Sequence, residues 1–266
     1  MTPVQVRDNR LTAAATRTLA GAARLRVTTV YTSVLVGVSF TLTALGPHAR
    51  HAAVSRMSTN LHNLSHGRIS TLVGSAFVDG GNVWVWLPGL VCLLALGELI
   101  WRGRGLIVAF AVGHIGATLI VAAGLAAALA AGWMPMSIAR ASDVGVSYGA
   151  VCVLGGLTSS IPSRWRPVWI GWWIGIAVAV AIGGDFTAVG HLLALMLGIW
   201  LSFKLPTTTM HWTPTRLALL TVAVAFGDFV LVGSFVAAPL AGMMGVLIAI
   251  LASRVSMNRT ARSQAA

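Results

Sequence analysis

The sequence predicts an all-α membrane protein, a polytopic bundle of transmembrane helices. Hydrophobic residues make up 57% of the 266 positions and charged residues only 9%, whereas a soluble domain carries roughly a quarter charged residues. The mean hydropathy is +0.85. Apolar runs long enough to cross ~30 Å of hydrocarbon recur along the chain. They are continuous rather than alternating in polarity, which excludes a transmembrane β-barrel.

Polar breaks between the apolar runs predict eight membrane spans. They cover residues 27–46, 82–101, 105–131, 146–161, 166–183, 187–204, 216–233 and 236–252. The last two come from one apolar stretch that is too long for a single ordinary span and is interrupted by Asp228 and Pro239. The predicted organisation is a basic N-terminal segment (1–26), a six-helix core (27–204), two additional transmembrane helices (205–252) and a basic tail (253–266).

The positions of the basic residues predict the orientation of the chain. With the N-terminus inside, 14 of the 18 lysines and arginines fall in cytoplasmic segments. The four in extracytoplasmic segments are Arg50, Arg56, Arg68 and Arg140. Because cytoplasmic loops are enriched in basic residues, we expect both termini to be cytoplasmic in a plasma (inner) membrane. The net charge of +12 then reflects topology and attraction to anionic lipid, and no nucleic-acid partner is expected.

Neither the cysteines nor the histidine-rich loop predicts a metal site. Cys92 and Cys152 both lie within apolar runs and are expected to be small buried hydrophobic residues. Four histidines lie between residues 47 and 67, at spacings that fit no tight structural site and with no cysteine or carboxylate among them. We interpret this segment as a solvated loop and expect no metal or organic cofactor.

A serine and a histidine stand out because polar residues are rare in the spans. Ser147 lies in DVGVSYGAVCVLGG (143–156), where a polar loop gives way to an apolar run. His191 lies in GHLLALMLG (190–198), in the sixth span. The arginine-based topology assigns both residues to the extracytoplasmic part of their spans, although it uses neither of them.

Small residues flank both side chains at helical spacing. His191, Ala194 and Gly198 share one helix face, and Ser147 is followed by Gly155 on a helix that another helix can approach closely. A serine hydroxyl beside an imidazole is the minimal apparatus for an activated nucleophile. Two other interpretations remain open: a serine that hydrogen-bonds its own backbone and a histidine that belongs to a proton relay.

These two segments resemble those of the rhomboid intramembrane serine proteases. Gly145, Ser147 and Gly155 match the nucleophile helix of that family, G-x-S-G with a further glycine eight residues after the serine. His191 and Gly198 match its A-H-x-x-G-x-x-x-G helix, in which Gly190 and Ala194 are small-for-small replacements. The stretch 68–81 is similar to the end of the family's first external loop, and Glu98 with the turn at 102–105 is similar to its acidic residue and basic-glycine turn.

The resemblance covers about residues 68–204 and implies a catalytic dyad. Ser147 would be the nucleophile and His191 the general base and then the general acid, acting on transmembrane protein substrates. The sequence departs from the family at Tyr148, where glycine is usual. The second span has no histidine, and its asparagine, Asn82, lies at the outer end. An oxyanion hole would therefore depend on backbone N–H groups of Ser147 and Tyr148.

Three functional hypotheses follow from these residues. The leading one is an intramembrane serine protease with a Ser147–His191 dyad. The second is a catalytically inactive rhomboid-like protein that binds membrane clients, and it is motivated by Tyr148 and by the missing second-span donors. The third is a small proton-coupled transporter that uses His191 and Asp228, although no inverted repeat is evident.

Overall fold

The structure, a computed structural model, describes residues 25–79, 81–205, 212–233 and 237–265, with side chains described as far as residue 255. The helices are α1 (Arg26–Ala44), α2 (Pro47–Met57), α3 (Leu61–Ser65), α4 (Thr71–Gly74), α5 (Val83–Ala111), α6 (Thr118–Ala130), α7 (Ser147–Gly156), α8 (Arg166–Gly183), α9 (Phe186–Ser202), α10 (Pro214–Val232) and α11 (Ala238–Ala265). The expected all-α architecture is confirmed. Most of the N-terminal basic segment, residues 1–24, lies outside the described residues.

Five of the described helical stretches are long and apolar enough to cross a membrane, so the chain is a multi-pass membrane protein. The longest, Val83–Ala130, has 48 residues and contains both α5 and α6, joined by a π-helical segment, Val112–Ala117. Arg102 interrupts it with a backbone φ of 61°, a conformation that side chains with a Cβ seldom adopt. The predicted second and third spans meet at this break.

The segment 47–67 differs from the expected solvated loop. It contains two short helices, α2 and α3, and no residue of α2 is buried, so the segment is exposed as expected but helical. Pro47 occupies the first turn of α2, where its missing N–H has no cost. The Asn60 side chain accepts a hydrogen bond from the Asn63 N–H and caps α3. The polar residues of this segment indicated that it is exposed, whereas its secondary structure depends on the proline and asparagine at the helix starts.

Helix α7 is the centre of the bundle. Every residue from Tyr148 to Gly156 is buried, and the helix packs against α5, the π-helical segment and α9. Helices α7 and α9 follow polar loops that lie at the same end of the molecule, which we call the serine end. This arrangement buries the apolar length of α7 and leaves Ser147 at its first, partly buried position.

A buried carboxylate fixes α1 at the opposite end. Glu98 of α5 accepts hydrogen bonds from the Val27 N–H at 2.9 Å and from the Thr28 N–H and hydroxyl, both at 2.8 Å. Helix N-termini leave their first N–H groups without intrahelical partners, and a carboxylate also favours the positive end of the helix dipole. Glu98, only 4% exposed, therefore caps α1 from a neighbouring helix.

The last two helices are packed into the bundle. Helix α10 contacts α5, α7 and α8: Phe226 lies against Gly89 of α5, and Gly227 lies against Leu154 of α7 and Trp173 of α8. Helix α11 packs along α8, where Gly245 meets Gly171. Trp172 Nε1 of α8 donates a 3.4 Å hydrogen bond to Asp228, the residue for which the sequence suggested no partner.

Candidate active site

The loop before Ser147 is anchored to the segment between α2 and α5. The Gly145 N–H donates to the Ser75 carbonyl at 2.9 Å, and the Thr59 N–H donates to the Asp143 carbonyl at 2.9 Å. Ser58 Oγ accepts from the Asp143 N–H at 2.8 Å. Gly145 has a φ of +117°, which favours glycine. These bonds determine where α7 begins and thereby position Ser147.

The first turn of α7 presents unused hydrogen-bond donors. Ser147 is the first helical residue, and Val146 before it provides no side-chain cap. First-turn N–H groups have no intrahelical acceptor, and among the described residues no acceptor contacts the N–H of Ser147 or Tyr148. The serine hydroxyl and these two donors therefore lie together at the serine end.

Helices α7 and α9 run side by side in the same direction with their backbones in close contact. A Cβ added at Gly155 would lie 2.6 Å from the Leu195 carbonyl oxygen. One added at Gly198 would collide with the Cys152 carbonyl, and one at Gly190 would collide with the Tyr148 ring. Ala194, between these glycines, is completely buried. The small residues that the sequence singled out therefore let the two helices touch.

His191 lies in the second turn of α9, beside Tyr148. Their ring centroids are 5.3 Å apart, and the rings meet edge to face at 81°. The residue preceding α9, Asp185, caps the helix by accepting hydrogen bonds from the N–H groups of Thr187 and Ala188. Tyr148 takes part in the α7–α9 contact that the sequence assigned to small residues.

The structure brings Ser147 and His191 to the same end of two touching helices but does not hydrogen-bond them. His191 Nε2 and the Tyr148 hydroxyl are both buried and without partners among the described residues. A buried polar atom without a partner costs about 1–3 kcal/mol. The unpartnered imidazole nitrogen is the group that a general base would use.

Two carboxylates near this end have pKa values shifted in opposite directions. Burial raises the pKa of the Asp143 carboxyl to about 6, because the charged form loses hydration. For Asp185, partial burial acts to raise the pKa, but hydrogen bonds from Thr187 and Ala188 outweigh it and leave the pKa lowered. At neutral pH both loops therefore carry a negative charge near the start of α7 and α9.

A second serine–histidine pair was missed by the sequence analysis. Ser75 Oγ lies 3.1 Å from His114 Nε2 of the π-helical segment and 2.9 Å from Thr59 Oγ1. Ser75 is 1% exposed, so substrate has no access to its hydroxyl and the pair fastens the loop to the bundle. His114 lies in the apolar run of the predicted third span. Its partner lies 39 positions away, and no spacing pattern in the sequence could have indicated it.

Within the described part of the chain, no group of three or more histidine, cysteine or carboxylate side chains could hold a metal ion. Of the four histidines between residues 47 and 67, His62 and His66 pair with each other, with ring centroids 4.3 Å apart. Cys152 is buried and Cys92 partly so, and both are free thiols. The cysteines thus occupy the apolar positions predicted for them.

Residues 23–209 match the family model described as rhomboid-like protein. This match covers well over half of the sequence and includes α1 to α9. The chain belongs to the rhomboid-like protein family. No curated protein matches it significantly, and no solved structure does so. In this rhomboid-like protein, α10 and α11 lie beyond the matched region.

The family match contains both candidate catalytic residues and also the departures from the protease pattern. Tyr148 follows the serine, and the side chain at the beginning of α5 is Asn82, whose Oδ1 accepts from the Trp84 N–H and caps the outer end of α5. In this rhomboid-like protein the backbone donors of α7 are therefore the groups available to stabilise an oxyanion. Membership of the family, which includes inactive members, leaves the chemistry to be argued from these residues.

Proposed function

We propose that this rhomboid-like protein is an intramembrane serine protease that cleaves transmembrane substrates with Ser147 and His191. One observation supports this function best: two touching, parallel helices carry these side chains in their first two turns, at the same end of the bundle. Ser147 itself is partly exposed, unlike Ser75 of the Ser75–His114 pair.

In the proposed reaction, His191 Nε2 accepts the Ser147 hydroxyl proton as Oγ attacks a substrate carbonyl. The N–H groups of Ser147 and Tyr148 donate to the negatively charged oxygen of the tetrahedral intermediate. The imidazolium then protonates the departing amine, and the resulting acyl-enzyme is hydrolysed by water that His191 deprotonates. Without side-chain donors from α5, this oxyanion hole is weaker than one with three or four donors.

We further propose that the protein lies in the plasma membrane with both termini in the cytoplasm. The serine end then faces the extracytoplasmic side, where water for the hydrolysis is available. The fourteen-to-four distribution of basic residues supports this orientation. The substrates are membrane proteins whose transmembrane segments end near the same surface.

The test is to purify Ser147→Ala and His191→Ala separately and to measure cleavage of a model transmembrane substrate and labelling by a fluorophosphonate. Both variants should lose cleavage, and Ser147→Ala should also lose labelling. Matched controls are Ser33→Ala and His48→Ala, exposed residues in α1 and α2, which should retain wild-type activity. Cleavage that survives both active-site changes would reject the proposal.

A second candidate function is client binding without catalysis. It is favoured by the missing Ser147–His191 hydrogen bond and by the packing of Tyr148 against the imidazole. This function predicts that the wild-type protein crosslinks to membrane proteins, leaves them intact and is not labelled at Ser147. The transporter hypothesis has less support, since the described hydrogen bond of Asp228 is to Trp172 and not to His191.

A further inference from the structure

We propose that this protein binds the phosphate-bearing headgroup of an anionic phospholipid in a cationic cavity beside α1, separate from the Ser147–His191 site. The cavity has a volume of about 520 Å³ and lies between the end of α1, α2 and the turn that ends at Arg140. Two of the four arginines that the topology places outside the cytoplasm, Arg50 and Arg140, line it. Because that side of a membrane protein is usually poor in arginine, two in one cavity point to a ligand.

The charge in the cavity is not neutralised by the protein. No carboxylate is among the lining residues. Arg50 donates to the backbone carbonyls of Asp79 and Gly81, which orient its guanidinium without cancelling the charge. The Arg140 guanidinium has no hydrogen bond or ion pair to the described residues. Asp79 lines a neighbouring cavity that Arg50 also reaches, and the Asp79 carboxylate accepts hydrogen bonds from Trp86 and the Gly81 N–H.

A buried serine lies behind the two arginines. Ser58 lines the cavity and is 1% exposed. Its oxygen accepts hydrogen bonds from the Asp143 N–H and the Asn60 amide, and no acceptor for its hydrogen is present among the described residues. The headgroup contacts are therefore assigned to Arg50 and Arg140, because arginine N–H groups match the oxygens of a phosphate.

The position of the cavity favours a lipid over a soluble anion. Leu42 and Thr43 in the last turn of the membrane-crossing α1 form one wall, so the cavity lies at the boundary between hydrocarbon and water. Below it, α1 exposes large apolar side chains such as Val34 at 45% and Phe40 at 68%. An acyl chain can lie against this surface while its headgroup occupies the cavity, whose lining is itself part apolar.

The test is native mass spectrometry of the purified full-length protein with phosphatidylglycerol, using a diacylglycerol of the same acyl chains as the phosphate-free comparison. The wild-type protein should retain phosphatidylglycerol in preference to diacylglycerol. Arg140→Gln should weaken the binding about fivefold, since one partly solvated charge contact is lost. Arg56→Gln removes an equal charge from α2 outside the cavity and should leave the affinity within a factor of two.

Equal affinities for Arg140→Gln and Arg56→Gln, with unchanged melting temperatures for both, would overturn the proposal, as would equal retention of diacylglycerol. Glycerol phosphate distinguishes the two sources of the anion. Displacement of the lipid by glycerol phosphate at similar concentrations would show that a free phosphate ester suffices and would overturn the assignment to a lipid. Failure to displace it would support the lipid.

Discussion

At the scale of single residues, the loop before Ser147 combines firm backbone anchoring with a carboxyl group in an unfavourable environment. The N–H and carbonyl of Asp143 are both hydrogen-bonded across to Ser58 and Thr59. Its side chain is partly buried, and this burial raises its pKa to about 6. The folded protein therefore binds this proton more tightly than the unfolded chain, in which an aspartate titrates near its ordinary value.

Replacing Asp143 with asparagine should stabilise the protein near neutral pH. Since the folded-state pKa is raised, the wild-type protein loses stability as the pH rises from about 4 through about 6, whereas the variant does not. Thermal melting in detergent between these pH values should show a gap that widens with pH and then levels off. Asp185→Asn is the contrasting variant: its lowered pKa predicts a loss of stability above pH 4. A gap for Asp143→Asn that is independent of pH would contradict this account.

The residue scale also shows where sequence reasoning ends. The candidates Ser147 and His191 were singled out because polar groups are rare in apolar runs. The Ser75–His114 hydrogen bond and the contact of Tyr148 with the imidazole depend on which helix faces meet. Rotation of a helix about its axis is set by packing against all of its neighbours, and a single sequence does not display that packing.

At the scale of elements, the contact between α7 and α9 depends on glycine. Membrane helices gain little from burying apolar surface against one another, because lipid is equally apolar, so close backbone approach provides much of the association energy. Gly155, Gly190 and Gly198 provide that approach here. The same contact keeps the Ser147 and His191 backbones at a fixed separation, so changes in these glycines alter both stability and the candidate site.

Gly198→Ala should therefore destabilise the protein by about 2–3 kcal/mol, because its Cβ would overlap the Cys152 carbonyl and force the helices apart. Gly124→Ala in α6 is the matched control, since a Cβ there meets nothing within 4 Å. Alanine is the better helix former, so the control should be neutral or slightly stabilising. Unfolding by SDS titration measures the stability of both variants. Equal effects of Gly198→Ala and Gly124→Ala would show that α7 and α9 are not in close backbone contact at Gly198.

The elements themselves follow largely from hydropathy. Run length and polar breaks predicted helices close to the observed ones, because the hydrocarbon thickness limits the length of an apolar run. The last helix is the exception, since α11 continues to Ala265, beyond the predicted end at residue 252. The polar segment 47–67 was less predictable. Its polarity indicates exposure to water. Whether it forms α2 and α3 depends on helix caps and on contacts with the loop that contains Asp143, and hydropathy reports on neither of these.

At the scale of the whole molecule, α10 joins the parts of the bundle. It lies in a groove against α5, α7 and α8, although it lies beyond the region matched by the family. Phe226, 6% exposed, fills the space over Gly89. The six-helix core and the last two helices therefore form one packed structure.

Phe226→Ala should lower the free energy of unfolding by about 3 kcal/mol, since a large buried ring is removed and the space it filled is left empty. Phe229, in the same helix but 54% exposed, provides the control, and its replacement by alanine should have little effect. SDS titration or thermal melting distinguishes the two. If both variants lost a similar amount of unfolding free energy, the contact between Phe226 and Gly89 would not be what stabilises the packing of α10.

The position of α10 has a consequence for biogenesis. Gly89 leaves the ribosome long before Phe226 is synthesised, so the groove that α10 will occupy is open during much of translation. In that interval lipid or a membrane insertase must cover it. Final closure of the bundle is therefore a late, C-terminal event, and a nascent chain stopped before α10 carries the candidate dyad on an unfinished scaffold.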